Sequence, residues 1–170
     1  MSELRRFLPD AILRSLIAHD VRFIVIGGLA AQAHGSPSLT GDLDICYARD
    51  EDNLVRLAAT LEELAAVRRG LPADTQRLPP LDAGTLRAGG LFTLTTSAGD
   101  FDLLANPDPD LDYERLRTTA VSTTVAGQPV LVASLDALIS MKRATGRPKD
   151  RIELEILGAL REELDRRDQG

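Results

Sequence analysis

The chain has 170 residues, 44% of them hydrophobic and 27% charged, with a formal net charge of −6. This length suits a single domain, 1–170, that buries roughly 70% of its unfolded surface. The acidic balance excludes a general nucleic-acid binder, whose affinity comes from neutralising phosphates. One cysteine excludes an internal disulfide and a cysteine zinc centre, and two histidines leave no His-rich metal site. Trp is absent, so a base-stacking platform is not expected. No apolar run approaches the ~20 residues of a membrane span, and Met1–Phe7 lacks the apolar core of a signal peptide. The expectation is a cytoplasmic protein with no membrane partner.

In chain order, Ile12, Leu13, Leu16 and Ile17 follow helical spacing and predict a helix over about 10–19. The apolar run Phe23–Ile26 predicts a strand over 22–27 that is buried on both faces. A short Ala-rich helix follows from Leu29 to Ala33, closed by Gly35. Ser36-Pro37-Ser38 reads as loop and 42–48 as the next strand. Leu54, Leu57, Ala58, Leu61 and Leu64 predict a helix over 51–67 with Asp50 as N-cap. The glycines and prolines of 70–90 make that stretch mostly loop. Leu91–Thr95 and Phe101–Leu104 read as strands, and Val121–Val125 with Val130–Val132 as a hairpin. Ser134 caps a helix to about Thr145, which Gly146 ends. A last helix after Pro148 aligns Ile152, Ile156, Leu157, Leu160 and Leu164 on one face, and the tail at 166–170 is expected to fray.

Two features carry chemistry together. Gly27-Gly28 closes a buried strand and opens a helix, offering bare backbone N–H groups and a positive dipole end to a phosphate. Asp42 and Asp44 then stand at i and i+2 in the next strand, on one sheet face. Each feature alone has a plain structural reading, glycine for a tight turn and Asp as a turn or cap residue. Together they point elsewhere, because paired half-buried carboxylates repel unless a cation lies between them. Oxygen ligands beside a phosphate site suit Mg²⁺. The combination predicts metal-assisted phosphoryl or nucleotidyl transfer.

At these residues the chain resembles the nucleotidyltransferase superfamily that includes DNA polymerase beta. The shared signature is a Gly-Gly or Gly-Ser pair, a spacer, and two carboxylates with apolar neighbours, here Leu43 and Ile45. A third acid comes from a later strand, matched by Asp102 in Phe101-Asp102-Leu103. The stretches Ser134–Arg143 and Arg147–Asp150 resemble the AbiEii-like branch, which holds toxins of toxin–antitoxin and phage-defence modules. The resemblance spans residues 10–155. It implies an α/β (or α+β) nucleotidyltransferase fold, a small mixed twisted sheet with helices mainly on one face.

The resemblance further implies an enzyme that moves a nucleoside monophosphate from a nucleoside triphosphate such as ATP to a hydroxyl, with tRNA as acceptor and a protein antitoxin as partner. Asp42, Asp44 and Asp102 would hold two Mg²⁺ ions, Gly27 and Gly28 the triphosphate, and Lys142 and Lys149 its charge. One departure is Ser38, which stands where the branch carries Arg between the Pro and the Thr. Two other readings remain open: a small-molecule, antibiotic-type nucleotidyltransferase, and a non-catalytic nucleotide-binding module. Asp100 is expected at a turn edge, Cys46 as a small buried hydrophobe, and His34 in a structural role at a helix end.

Overall fold

The computed structural model describes residues 6–71 and 78–170. Helix α1 (Pro9–Ala18) begins with a proline, which gives up no needed N–H at that position, and buries Ile12, Leu13 and Leu16. Strand β1 (Phe23–Ile26) is buried along its whole length, as its unbroken apolar run requires. Helix α2 (Gly27–Ala33) follows without a connecting loop, and β2 (Asp42–Tyr47) returns antiparallel to β1. Helix α3 (Glu51–Glu63) starts at Asp50, whose side chain accepts from the Asn53 backbone N–H.

The expected helix over 51–67 stops early. Ala65 takes a positive φ of 51°, the Ala66 N–H reaches back to the Leu61 carbonyl, and Val67–Arg68 joins the sheet as β3. Within 70–90, expected mostly as loop, Ala83–Ala88 forms helix α4, because Asp82 accepts from the Thr85 N–H and starts it. Residues 72–77 of that stretch lie outside the described residues. Strands β4 (Leu91–Thr96) and β5 (Gly99–Leu104) form a hairpin. Helix α5 (Tyr113–Thr119) is capped by Asp112, then β6 (Val121–Val125) and β7 (Gln128–Val132) form the second hairpin.

Helix α6 (Leu135–Thr145) is capped by Ser134 and ends at Gly146 in the left-handed conformation. Helix α7 (Asp150–Asp168) runs further than expected. The tail does not fray at 166, because pairs such as Arg167–Glu163, 2.6 Å apart at i and i−4, carry the helix to Asp168. Its apolar stripe is buried only in part. Leu157 is buried, whereas Ile152 is 67% and Leu164 40% exposed, since the packing against α6 does not cover the stripe.

The strands form one mixed sheet in the order β3-β4-β5-β2-β1-β7-β6, with β2–β5 and β1–β7 parallel. Register separates its faces. Phe23, Val25, Leu43, Ile45, Tyr47, Leu94, Phe101 and Leu103 share one face and are all buried. Helix α4 meets that face through the Tyr47 hydroxyl, which donates to the Leu86 carbonyl, and α3 packs against both α4 and α1. The other face of the same strands carries Asp42, Asp44, Asp100 and Asp102. No helix among the described residues is long and apolar enough to cross a membrane.

Candidate active site

The acids meet because three strands are in register. Asp42 stands opposite Asp100 and Asp44 opposite Asp102 across the parallel β2–β5 pair, while Ile26 stands opposite Asp44 across β1–β2. Directly paired residues share a face. Asp42, Asp44 and Asp102 each present one carboxylate oxygen, and these three atoms lie within 4.8 Å of one another.

That crowding has an electrostatic signature. Burial, then the charges of Asp42 and Asp102, push the Asp44 carboxyl up to about 7. Asp102 is also raised by burial, and the Arg69 guanidinium is the main influence opposing that rise. Lys142 acts on Asp44 in the opposite sense and is outweighed. Hard oxygen donors this close, with ionisation held back by mutual repulsion, form a set that a divalent cation fits.

Glycine frames the acids. Gly27 has a φ of +69°, and a Cβ there would collide with Asp44 Oδ2 and lie 2.9 Å from its Cγ. A Cβ on Gly28 would sit 2.8 Å from the Cβ of Thr40. Thr40 in turn donates its hydroxyl to Asp42 Oδ1 at 2.9 Å. Both glycines therefore permit the backbone to lie against the acid strand, which no other residue type allows at this spacing.

The remaining expected residues divide. Lys142 is bound within the protein: its Nζ is 3.2 Å from Asp150 Oδ1, and Asp150 is nearly fully buried at the start of α7. Thr145 donates to the other oxygen of Asp150 at 2.7 Å, and Arg147 lies 3.6 Å from it. Lys149 is exposed and has no ion pair among the described residues. Ser38 donates to Glu153 of α7, and its carbonyl accepts from Gln32 at 2.7 Å. Cys46 is fully buried, which pushes its thiol up to about 12. The His34 ring lies 2.8 Å from the Ala133 carbonyl and fastens the end of α2 to the end of β7.

Asp100 is not a turn-edge residue, which corrects the sequence expectation. It lies inside β5, accepts from the Thr95 hydroxyl at 3.0 Å and faces Arg69 at 3.5 Å. Arg69 itself had no distinguishing sequence signal. It is one of two adjacent arginines, and only pairing of β3 with β4 aims it at the acids. A groove of about 810 Å³ between α3 and residues 78–82 is lined by none of these acids.

No family model and no curated protein matches the chain. Solved structures match it in fold. The lincosamide antibiotic adenylyltransferase LnuA, solved with lincomycin bound, superposes with a TM-score of 0.58 at 13% identity, over 89% of this chain and 95% of that one. The antibiotic-resistance factor ANT(2'')-Ia gives 0.55 at 18% identity, over 95% and 91%, and has also been solved with adenylyl-2''-tobramycin. A Thermotoga maritima protein assigned to the nucleotidyltransferases gives 0.55 at 17% identity, over 98% and 99%. What is shared at such identities is architecture, and on it the chain has the nucleotidyltransferase fold.

Proposed function

We propose that the protein is a metal-dependent nucleotidyltransferase that moves a nucleoside monophosphate from a nucleoside triphosphate to a hydroxyl acceptor, releasing pyrophosphate. The observation that carries this reading is the convergence of Asp42, Asp44 and Asp102 within 4.8 Å on a face opened by Gly27. A fold that gained only stability from these positions would not bury mutually repelling acids there.

Asp42, Asp44 and Asp102 are the residues that hold Mg²⁺, with two ions expected. Bound Mg²⁺ supplies charge neutralisation of the phosphates and a more acidic acceptor hydroxyl. The protein's own groups do the rest. The backbone at Gly27 and Gly28 receives the triphosphate, since a side chain there would fill the approach. Asp102 accepts the proton of the acceptor hydroxyl as its oxygen bonds to the α-phosphorus and the bond from that phosphorus to the bridging oxygen breaks. Lys142, fixed by Asp150, and the exposed Lys149 offset charge on the departing pyrophosphate.

The acceptor we propose is tRNA, in a toxin role with a protein antitoxin as partner. This rests on the resemblance to the AbiEii-like branch and on the exposed basic residues Arg143, Arg147, Lys149 and Arg151 around the α6–α7 junction. A second reading, a small-molecule acceptor, is favoured by the antibiotic substrates of LnuA and ANT(2'')-Ia. The test incubates the protein with Mg²⁺, each labelled nucleoside triphosphate, and either total tRNA or a panel of small hydroxyl compounds. Label on tRNA supports the first acceptor and label on a small compound the second. Asp44→Asn is expected to lower transfer by ~10³-fold or more, and an Asp44→Asn protein with wild-type transfer would overturn the mechanism.

A further inference from the structure

We infer that Arg69 is a positioning residue of the acid site, a resident cation that holds Asp102 and Asp100 in place and weakens the site's hold on a divalent ion. The inference rests on the metal-dependent reading above and deepens it.

Arg69 stands at the end of a cross-strand row. Its backbone N–H donates to the Thr93 carbonyl at 2.9 Å, Thr93 stands opposite Asp102, and Asp102 opposite Asp44. Thr93 is the one side chain between Arg69 and the acids along this row, and its shortness lets the guanidinium pass over it. Nη1 donates to the Leu94 carbonyl at 3.0 Å, which fixes the plane of the group. Nη2 donates to Asp102 Oδ1 at 2.9 Å, and Nη1 lies 3.5 Å from Asp100 Oδ2. Asp100 is braced from its other side by Thr95. Three anchors on one guanidinium, with the Asp102 side chain only 12% exposed, distinguish this contact from a solvated surface pair. Arg68 is no substitute, because it stands opposite Leu94 and so belongs to the other face.

Among the described residues four carboxylates share this face, Asp42, Asp44, Asp100 and Asp102, against one guanidinium in direct contact. The surplus negative charge attracts a divalent ion, and the fixed positive charge beside Asp102 opposes it. Removing that charge frees Asp102 and strengthens the attraction. A role limited to pinning the edge strand β3 predicts something different: lower stability, with ion affinity unchanged or reduced by a disordered Asp102.

The test measures Mn²⁺ binding to nucleotide-free protein from the electron paramagnetic resonance signal of the free ion. Arg69→Gln is expected to bind Mn²⁺ about five- to tenfold more tightly than wild type. Arg69→Lys, which keeps the charge without the fork, should lie between them. Equal or weaker binding by folded Arg69→Gln overturns the inference alone, provided that wild type binds Mn²⁺ and Asp44→Asn does not. Absence of Mn²⁺ binding by wild type overturns the metal-dependent reading, and this inference with it. Should Arg69→Gln not fold, the Arg69 Nε resonance of ¹⁵N-labelled wild type decides. Its shift on saturation with Mg²⁺ supports the inference, and an unmoved resonance in protein that binds Mg²⁺ overturns it.

Discussion

Gly27 and Asp44 meet with no room for a side chain between them: a Cβ on Gly27 would collide with the carboxylate and come within 2.9 Å of Cγ. The contact follows from register, because Ile26, the residue before Gly27, is the direct partner of Asp44. Gly27→Ala faces two penalties, a left-handed φ of +69° that costs roughly 1–2 kcal/mol and the displacement of Asp44. The melting temperature should fall by several degrees, and the extra stability conferred by Mg²⁺ should vanish. Calorimetry with and without Mg²⁺ checks both. A variant that keeps the full Mg²⁺ response would show that Asp44 tolerates the intrusion.

The titration of Asp44 gives a second prediction. Its folded-state pKa is raised from 3.8 to about 7, so the folded protein holds this proton more tightly than the unfolded chain. The associated stability is complete below pH 3.8 and is lost as pH rises through about 7. Asp102 is shifted in the same direction. Asp108 and Asp150, held below the usual carboxylate range by hydrogen bonds, act oppositely and at lower pH. Metal-free protein should therefore melt at a lower temperature at pH 8 than at pH 5.5. Asp44→Asn should flatten that difference, and Mg²⁺ should recover much of the loss at pH 8. A metal-free wild type that gains stability from pH 5.5 to 8 contradicts the assignment.

A third prediction concerns the fold. Asn53 is fully buried and joins α3 to the residue before β1 and the residue after β2. It accepts from the Arg22 N–H at 2.6 Å and donates to the carbonyls of Arg22 and Ala48 at 3.1 and 2.7 Å. Asn53→Leu fills the space but strips partners from backbone groups on either side of it. The expected cost is about 2–4 kcal/mol, a fall in melting temperature on the order of 10 °C. Urea unfolding measures it directly, and a loss under about 0.5 kcal/mol would mean that water takes over these bonds.

The legible parts of this chain are those where local chemistry and tertiary packing agree. The apolar run at β1, the caps at Asp50 and Ser134, and the left-handed stop at Gly146 each follow from a few neighbouring residues. The alternation of Asp42 and Asp44 places them on one face whatever strand pairs with β2. What stayed hidden depends on long-range pairing. Two-residue strand β3 has no period to detect, so its first residue, Val67, reads as the end of a helix. Arg69 acquires its place at the acids only through that pairing. Lys142 shows the same limit, because nothing local reveals that buried Asp150 engages it. The stripe on α7 has helical period but incomplete cover, and period reports a face rather than its partner.

The acceptor can be tested through charge. With a net charge of −6, the surface as a whole repels an RNA backbone, so a tRNA acceptor has to meet the basic segment Lys142–Arg151. Within it Lys142 is held by Asp150, whereas Arg143 is exposed and Arg147 keeps only a 3.6 Å approach to Asp150 with its side chain 61% exposed. Contacts of this kind weaken with salt, by a log–log slope of about −0.7 to −0.9 per phosphate engaged. A small neutral acceptor gives little such dependence. Replacing Arg143 and Arg147 together by Ala should therefore reduce tRNA modification and flatten its salt slope by roughly one to two. Divalent-ion and triphosphate binding should persist, because Asp42, Asp44, Asp102 and the backbone at Gly27 and Gly28 are untouched. The measurement is the initial rate of label transfer to tRNA across a series of salt concentrations. An unchanged rate and slope in the double variant would remove tRNA from this surface and leave the small-molecule acceptor as the better reading.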